Sequence, residues 1–351
     1  MATIQLWEMT APREPFVRAT RQVSPGAGEA LIRIAGCGVC HTDLGFFEGA
    51  VRTHHALPLA LGHEVSGVVE EAGAGAEGWI GRAVVVPAVL PCGECPACRK
   101  GRAALCPKQV FPGNDVSGGF ASHLLVPARF LCPAGEVTAE ALPLLSVIAD
   151  AVSTPYEAVR RSGLSEGDVS LFVGVGGVGG FGVQIAKARG ATVIAIDPDA
   201  ERRELALAHG AALALDPTVQ EPSLRDRLKA FIKENRLPAE EWKVFETSGT
   251  PAGQTTAMGL LPRGGHLAVV GFTPEKVTIH LSRLMAMDAR AEGNWGCPPD
   301  RYPEILQLVH SGKVLLEPYV TLRPMSEINA VFQEMKEHRL HARAVLIPDF
   351  F

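Results

Sequence analysis

Four cysteines, Cys92, Cys95, Cys98 and Cys106, fall within fifteen residues, spaced C-x2-C-x2-C-x7-C. Thiolates this close together can fill a tetrahedral zinc shell from one short loop, without a folded core to place them. Pro91, Gly93, Pro96 and Gly101 suit a tight excursion of the chain. A shell filled by four thiolates has no open position, so this zinc would be structural. A disulfide framework belongs to small secreted chains, whereas a chain of 351 residues that opens without an apolar signal core reads as metal-binding. A nucleic-acid-gripping zinc ribbon needs a basic face. Net charge is −5, and basic runs such as Arg160–Arg161 and Arg202–Arg203 are short, so no nucleic-acid partner is expected.

A second set of metal donors has a different character. Cys40-His41-Thr42-Asp43 ends a strand-like run, and Gly62-His63-Glu64 follows about two dozen residues later. A catalytic zinc keeps about three protein ligands and one open position for substrate oxygen. Cys40 and His63 supply two ligands. Asp43 is placed to orient a ligand from behind. The Thr42 hydroxyl stands two residues from the thiolate, where it can pass on an alcohol proton. Two separate donor sets predict two zinc ions per subunit.

The third chemical feature is a glycine cluster. Gly174, Gly176 and Gly179 spell G-x-G-x-x-G directly after the apolar run Val169–Val173, with Gly177 and Val178 between the last two. A tight turn, a close backbone approach and a helix N-terminus together cradle a pyrophosphate. Asp197 closes the next β-branched run, eighteen residues past Gly179, where an acid accepts from the adenosine ribose hydroxyls. Pro198 follows it and no arginine does, which points to NAD as coenzyme.

These residues need elements to hold them. Up to about residue 145, short runs such as Ala30–Ile34, Val65–Val69, Ala83–Val86 and Leu124–Val126 are punctuated by Gly and Pro and read as β-rich. From about residue 150, strands alternate with helices: Val169–Val173, Thr192–Ile196, a helix over about 200–209, Ala212–Leu215, an amphipathic stretch over 223–235, Lys243–Glu246 and His266–Gly271. That alternation predicts a doubly wound parallel sheet, so the fold class is α/β with a β-rich domain attached. Helices near 302–309 and 326–338 and a strand at Arg343–Ile347 suggest a return to the first domain. The longest apolar stretch, Ala141 to Val152, is too short for a bilayer and contains Asp150. A soluble, cytoplasmic protein without a membrane partner is expected.

The Cys-His-Thr-Asp segment, the Gly-His-Glu segment, the four-cysteine lobe and Gly-Val-Gly-Gly-Val-Gly occur in the order seen in zinc-containing medium-chain alcohol dehydrogenases, which this chain resembles over nearly its whole length. The resemblance implies a GroES-like catalytic domain over 1–148 with 292–351 returning to it, and a Rossmann NAD-binding domain over 149–291. It also implies an active site in the cleft between them and a homodimer or homotetramer. In the family the third zinc ligand is usually a cysteine near the start of the coenzyme domain. Here Asp150 stands at that place, as a carboxylate ligand or as a helix cap, with Glu64 as the alternative ligand. Some members of the family place a relay histidine five residues after the ligand cysteine; here that residue is Gly45, and His54 or His55 can substitute. Three further stretches, Val51–Glu64, Pro112–Asp115 with Gly118–His123, and Gly293–Pro303, are similar to those of 6-hydroxycyclohex-1-ene-1-carbonyl-CoA dehydrogenases. That likeness implies NAD-linked oxidation of a ring alcohol carried on a CoA thioester, in anaerobic benzoyl-CoA degradation. Arg52 and Arg301 are then available to CoA phosphates. A general zinc alcohol dehydrogenase acting on free primary or aromatic alcohols shares the same core motifs.

Overall fold

The computed structural model describes residues 1–350 and divides the chain into two compact units. The first comprises Met1–Ser153, Gly296–Leu308 and the chain from Leu316 onward; the second comprises Thr154–Trp295 with Val309–Leu315. The first division falls a few residues past the expected 148. Ser153 belongs with the first unit because its hydroxyl bonds the Ala149 carbonyl and the Tyr302 hydroxyl there. Val309–Leu315 goes with the second unit, where the Gln184 side-chain amide pairs with both the N–H and the C=O of Leu315.

The first unit is built on a seven-stranded sheet. Strands Val320–Pro324, Arg343–Ile347, Glu29–Gly38, Glu64–Ala72, Ala83–Val86 and Cys132–Pro133 lie in that order, and His123–Pro127 pairs with Glu29–Gly38 as well. Glu29–Gly38 is buried along most of its length, as its near-continuous apolar run requires. Its C-terminal end pairs with Glu64–Ala72 so that Gly38 faces Glu64 and Cys37 faces Val65. Gly38 has to be glycine: a Cβ there would lie 2.0 Å from Glu64 Oε2. The chain then enters the helix His41–Phe47 with Cys40 as its N-cap residue. Phe16, Phe47, Phe120 and Phe332 form one aromatic cluster beneath this helix. The sheet core runs through Leu31, Ile32, Leu61 and Val65.

The second unit is an all-parallel sheet of six strands. The order is Ala211–Leu215, Thr192–Ile196, Val169–Val173, Lys243–Glu246, His266–Val269 and Arg290–Gly293. The helices Gly179–Ala188, Ala200–Ala208, Leu224–Glu234 and Pro251–Leu260 connect them. This is the Rossmann arrangement, in which strand order reverses beside the first strand and leaves a crevice at the strands' carboxyl ends. Val169, Leu171, Ile194, Val244 and Leu267 are among its buried core residues. No helix among the described residues is long and apolar enough to cross a membrane.

Candidate active site

Within the first unit the structure brings together Cys40, His63, Glu64 and Asp150, with one ligand atom from each lying within 4.8 Å of all the others. Asp150 Oδ2 is 3.4 Å from Cys40 Sγ and 3.5 Å from His63 Nε2. Zinc bonds of about 2.3 Å to sulfur and about 2.0–2.2 Å to nitrogen and oxygen give tetrahedral edges of about 3.4–3.6 Å. Both edges that Asp150 makes, to Cys40 and to His63, therefore match the spacing a zinc ion needs. Asp150 terminates the segment Leu142–Ala149 with φ −140° and ψ −58°, outside both that segment and the following helix Ser153–Arg161. Its Oδ2 points to the cluster, as a carboxylate ligand would.

Glu64 is held differently. Its Oε1 accepts from the Ala151 N–H and from Arg343 Nη1, both at 2.9 Å, and its Oε2 is buried without a partner. Burial pushes this carboxyl above the usual carboxylate range, and the Arg343 guanidinium pulls it back. An orphaned, buried oxygen beside three converging donors is what a cation site predicts. Asp43 orients the set from behind. Its Oδ2 accepts the Cys40 N–H at 2.9 Å, and its Oδ1 accepts the Gly62 N–H at 3.1 Å and faces His63 Nδ1 at 3.2 Å. That leaves His63 Nε2 for the metal. Phe111 packs edge-on against the His63 ring, at 5.0 Å between centroids. Thr42 Oγ1 stands 3.7 Å from Cys40 Sγ.

The flanking histidines differ from each other. His54 Nδ1 is 2.7 Å from Asp115 Oδ1, and its N–H donates to Asn114 Oδ1. His55 Nδ1 is 2.6 Å from the carbonyl of its neighbour Ala56. Arg301 lies beside Asp300 and Glu304, and Arg52 is exposed.

The four-cysteine lobe forms a separate cluster in the same unit. Cys92, Cys95, Cys98 and Cys106 all carry free thiols, with Cys95 Sγ at 3.5 Å from Cys98 Sγ and 3.9 Å from Cys106 Sγ. A tetrahedral shell with bonds of about 2.3 Å has sulfur–sulfur edges of about 3.8 Å. Backbone N–H groups of Cys95, Cys98 and Lys108 point at the sulfurs of Cys92, Cys95 and Cys106. Such donors, chiefly the Glu94 N–H, bring Cys92 down to about 6, while burial and then the Cys95 thiol push Cys98 up to about 12.

In the second unit, Gly174 follows the first strand at φ +88°, in a conformation that suits glycine. A Cβ on Gly179 would strike the Gly174 carbonyl at 1.9 Å, so only glycine lets the next helix start this close. The side chain of Arg202 lies over Gly176. Asp197 is buried; its Oδ2 accepts the Val175 N–H at 2.8 Å and its Oδ1 the Asp199 N–H at 2.9 Å. Each oxygen keeps a second acceptor direction. Sequence reasoning missed Thr247, whose hydroxyl donates to the Gly174 carbonyl at 2.6 Å, and Arg343, Arg202 and Tyr302. No motif flags them. Only the parallel pairing of Lys243–Glu246 with Val169–Val173 puts Thr247 beside the glycine turn.

Residues 26–136 match the alcohol dehydrogenase GroES-like domain, and residues 177–311 match the zinc-binding dehydrogenase domain. An alcohol dehydrogenase of Geobacillus stearothermophilus is 33% identical over 326 residues, covering 92% of this chain and 93% of that protein. The alcohol dehydrogenase of Aeropyrum pernix superposes with a TM-score of 0.87 at 30% identity, over 98% of this chain and 100% of that one. An acetophenone reductase of Geotrichum candidum in complex with NAD superposes with a TM-score of 0.86 at 26% identity, over 99% and 98% of the two chains. With this fold and two donor sets suited to zinc, the chain belongs to the zinc-containing medium-chain alcohol dehydrogenase family, oxidoreductases that act on CH–OH groups with a nicotinamide coenzyme.

Proposed function

We propose that the chain oxidises the ring alcohol of 6-hydroxycyclohex-1-ene-1-carbonyl-CoA to the 6-oxo compound with NAD, a step of anaerobic benzoyl-CoA degradation. The observation that carries the chemistry is the convergence of Cys40, His63 and Asp150 beside the Thr42 hydroxyl. Zinc bound there supplies the Lewis acidity that makes a substrate hydroxyl more acidic, and NAD accepts the hydride. Thr42 takes the hydroxyl proton and passes it outward. His54 suits the exit better than His55: the Asp115 carboxylate orients its ring, and its side chain is 75% exposed. Asp197 favours NAD by accepting from the ribose hydroxyls.

The CoA substrate rests on the three segments that resemble 6-hydroxycyclohexenecarbonyl-CoA dehydrogenases. Two of them meet in the first unit, where the N–H groups of both His54 and His55 bond Asn114. Arg52, exposed, suits a CoA phosphate better than Arg301, which has two acids beside it. The free-alcohol reading draws on the relatives that are themselves alcohol dehydrogenases. A homo-oligomer is part of the same proposal: Phe272, Leu281, Met285 and Trp295 of the second unit expose large apolar surfaces, and Arg290–Gly293 ends its sheet. NAD reduction measured with the 6-hydroxycyclohexenyl-CoA thioester and with benzyl and aliphatic alcohols tests the substrate. A strong preference for a free alcohol overturns the CoA assignment. His54→Asn should lower kcat more than it changes KM, and an unaltered pH–rate profile removes His54 from the relay.

A further inference from the structure

Tyr302 takes no part in the chemistry described above, yet it is 1% exposed and its hydroxyl is committed to one place. It donates to the Ala149 carbonyl at 2.5 Å. The Ser153 hydroxyl donates to the same carbonyl at 3.0 Å and lies 3.3 Å from the Tyr302 oxygen. The Ala88 N–H is 3.4 Å from the Ala149 carbonyl oxygen and from the Tyr302 hydroxyl oxygen. Ala149 is one peptide before Asp150. One peptide after it, the Ala151 N–H is held by Glu64, and Glu64 by Arg343. Asp150 itself lies between the segment Leu142–Ala149 and the helix Ser153–Arg161.

We infer that Tyr302 is a positioning residue for Asp150: by fixing the Ala149 carbonyl, it sets the peptide from which the Asp150 carboxylate reaches Cys40 and His63. The inference rests on the zinc reading of the site. Metal–ligand distances tolerate deviations of only about 0.2 Å. A small rotation of the 149–150 peptide therefore takes the carboxylate out of range, whereas Cys40 and His63 are held independently through Asp43. The expectation is specific: loss of the Tyr302 hydroxyl loosens the carboxylate ligand and leaves the sulfur and nitrogen ligands in place.

The test compares the full-length wild-type chain with Tyr302→Phe, each loaded with zinc and, separately, with cobalt. Partners that orient metal ligands are worth about 10–100-fold in metal affinity. Tyr302→Phe should lose the metal of the open site to a chelator at least about tenfold faster. Its cobalt absorption bands should shift, while the four-cysteine metal and NADH affinity stay at wild-type levels. Chelation rate and cobalt bands equal to wild type overturn the proposal. If Tyr302→Phe does not fold, 4-fluorophenylalanine in place of Tyr302 removes the donor while filling the volume of the hydroxyl. Wild-type chelation rate and cobalt bands in that protein overturn the proposal equally. A wild-type chain that takes up one metal ion only overturns the ligand set, and this inference with it; that outcome shows before any variant is made.

Discussion

Asp43 Oδ1 faces His63 Nδ1 at 3.2 Å, while the other oxygen of the same carboxylate accepts the Cys40 N–H. One fully buried side chain thus orients two ligands that are far apart in sequence. The carboxylate also closes a capping box at the start of the helix His41–Phe47. Asp43→Asn keeps the shape but places an amide N–H₂ among N–H donors. Open-site metal affinity should fall by about 10–100-fold, measured by competition with a chelator. Unchanged affinity would show that the contact is only a helix cap.

The coenzyme loop gives a prediction with two arms. Asp197→Ala should raise KM for NAD and relax discrimination against NADP, because the negative charge that repels a 2′-phosphate is gone. Arg203 is tied to the Asp197 and Pro198 carbonyls, which leaves Arg202, lying over Gly176, as the cation to receive that phosphate. Adding Arg202→Ala to Asp197→Ala should therefore remove most of the NADP activity gained. Equal wild-type efficiency with both coenzymes would sink the role given to Asp197.

Glu64 and Arg343 form an ion pair at 2.9 Å, with side chains 0% and 5% exposed. Removing one partner of such a pair leaves an uncompensated buried charge and costs about 3–5 kcal/mol. Arg343→Met should destabilise the zinc-loaded protein by that order in denaturant unfolding, and Glu64→Gln added to it should restore much of the loss. A single variant within experimental error of wild type would mean that Glu64 is not held by Arg343.

The features legible in the sequence were those whose parts lie close together. Cys92 to Cys106 and Gly174 to Gly179 each announce their chemistry over a few residues, and the alternation of strands and helices announces the parallel sheet. Asp43 was legible because it sits three residues from the thiolate it serves. Asp150 lies 110 residues from Cys40, and Arg343 lies 279 residues from Glu64. No period or spacing links such pairs: Asp150 is placed by the family resemblance, and Arg343 only by the sheet in which Arg343–Ile347 and Glu64–Ala72 flank Glu29–Gly38. Tyr302 is further removed still, since it acts on a carbonyl, and a carbonyl carries no sequence signal.

Glu246 ends the fourth core strand of the second unit fully buried; its Oε1 accepts from the Ser248 and Gly249 N–H groups, and its Oε2 has no partner. Burial raises its carboxyl above the ordinary 4.5, and the Ser248 and Gly249 bonds oppose the rise. A carboxyl raised in the folded state contributes stability below its unfolded value and loses it as pH rises through the folded value. Relative to Glu246→Gln, the wild type should therefore lose stability as pH climbs from about 4.5. Unfolding midpoints of the two proteins across pH check this. A constant difference would mean that Glu246 does not titrate abnormally.

Asp150 decides the metal count. Asp150→Ala leaves Cys40 and His63 without a third donor in reach except Glu64, whose Oε1 is committed to Arg343 and the Ala151 N–H and whose Oε2 lies against Gly38. The open site should therefore empty and turnover should stop, while the four-cysteine site keeps its zinc and the second unit still binds NADH. Elemental analysis should fall from two zinc ions per chain to one. Asp150→Cys should retain both ions, because a thiolate bonds zinc at about 2.3 Å, close to the carboxylate's reach. Its pH–rate profile should move, since a softer ligand set makes the metal less electrophilic. In the wild type, mild chelation should remove the open-site metal first and activity with it, because a shell of four thiolates offers a chelator no entry position. A fully loaded, active Asp150→Ala protein would transfer the third-ligand role to Glu64 and leave Cys40 and His63 in place.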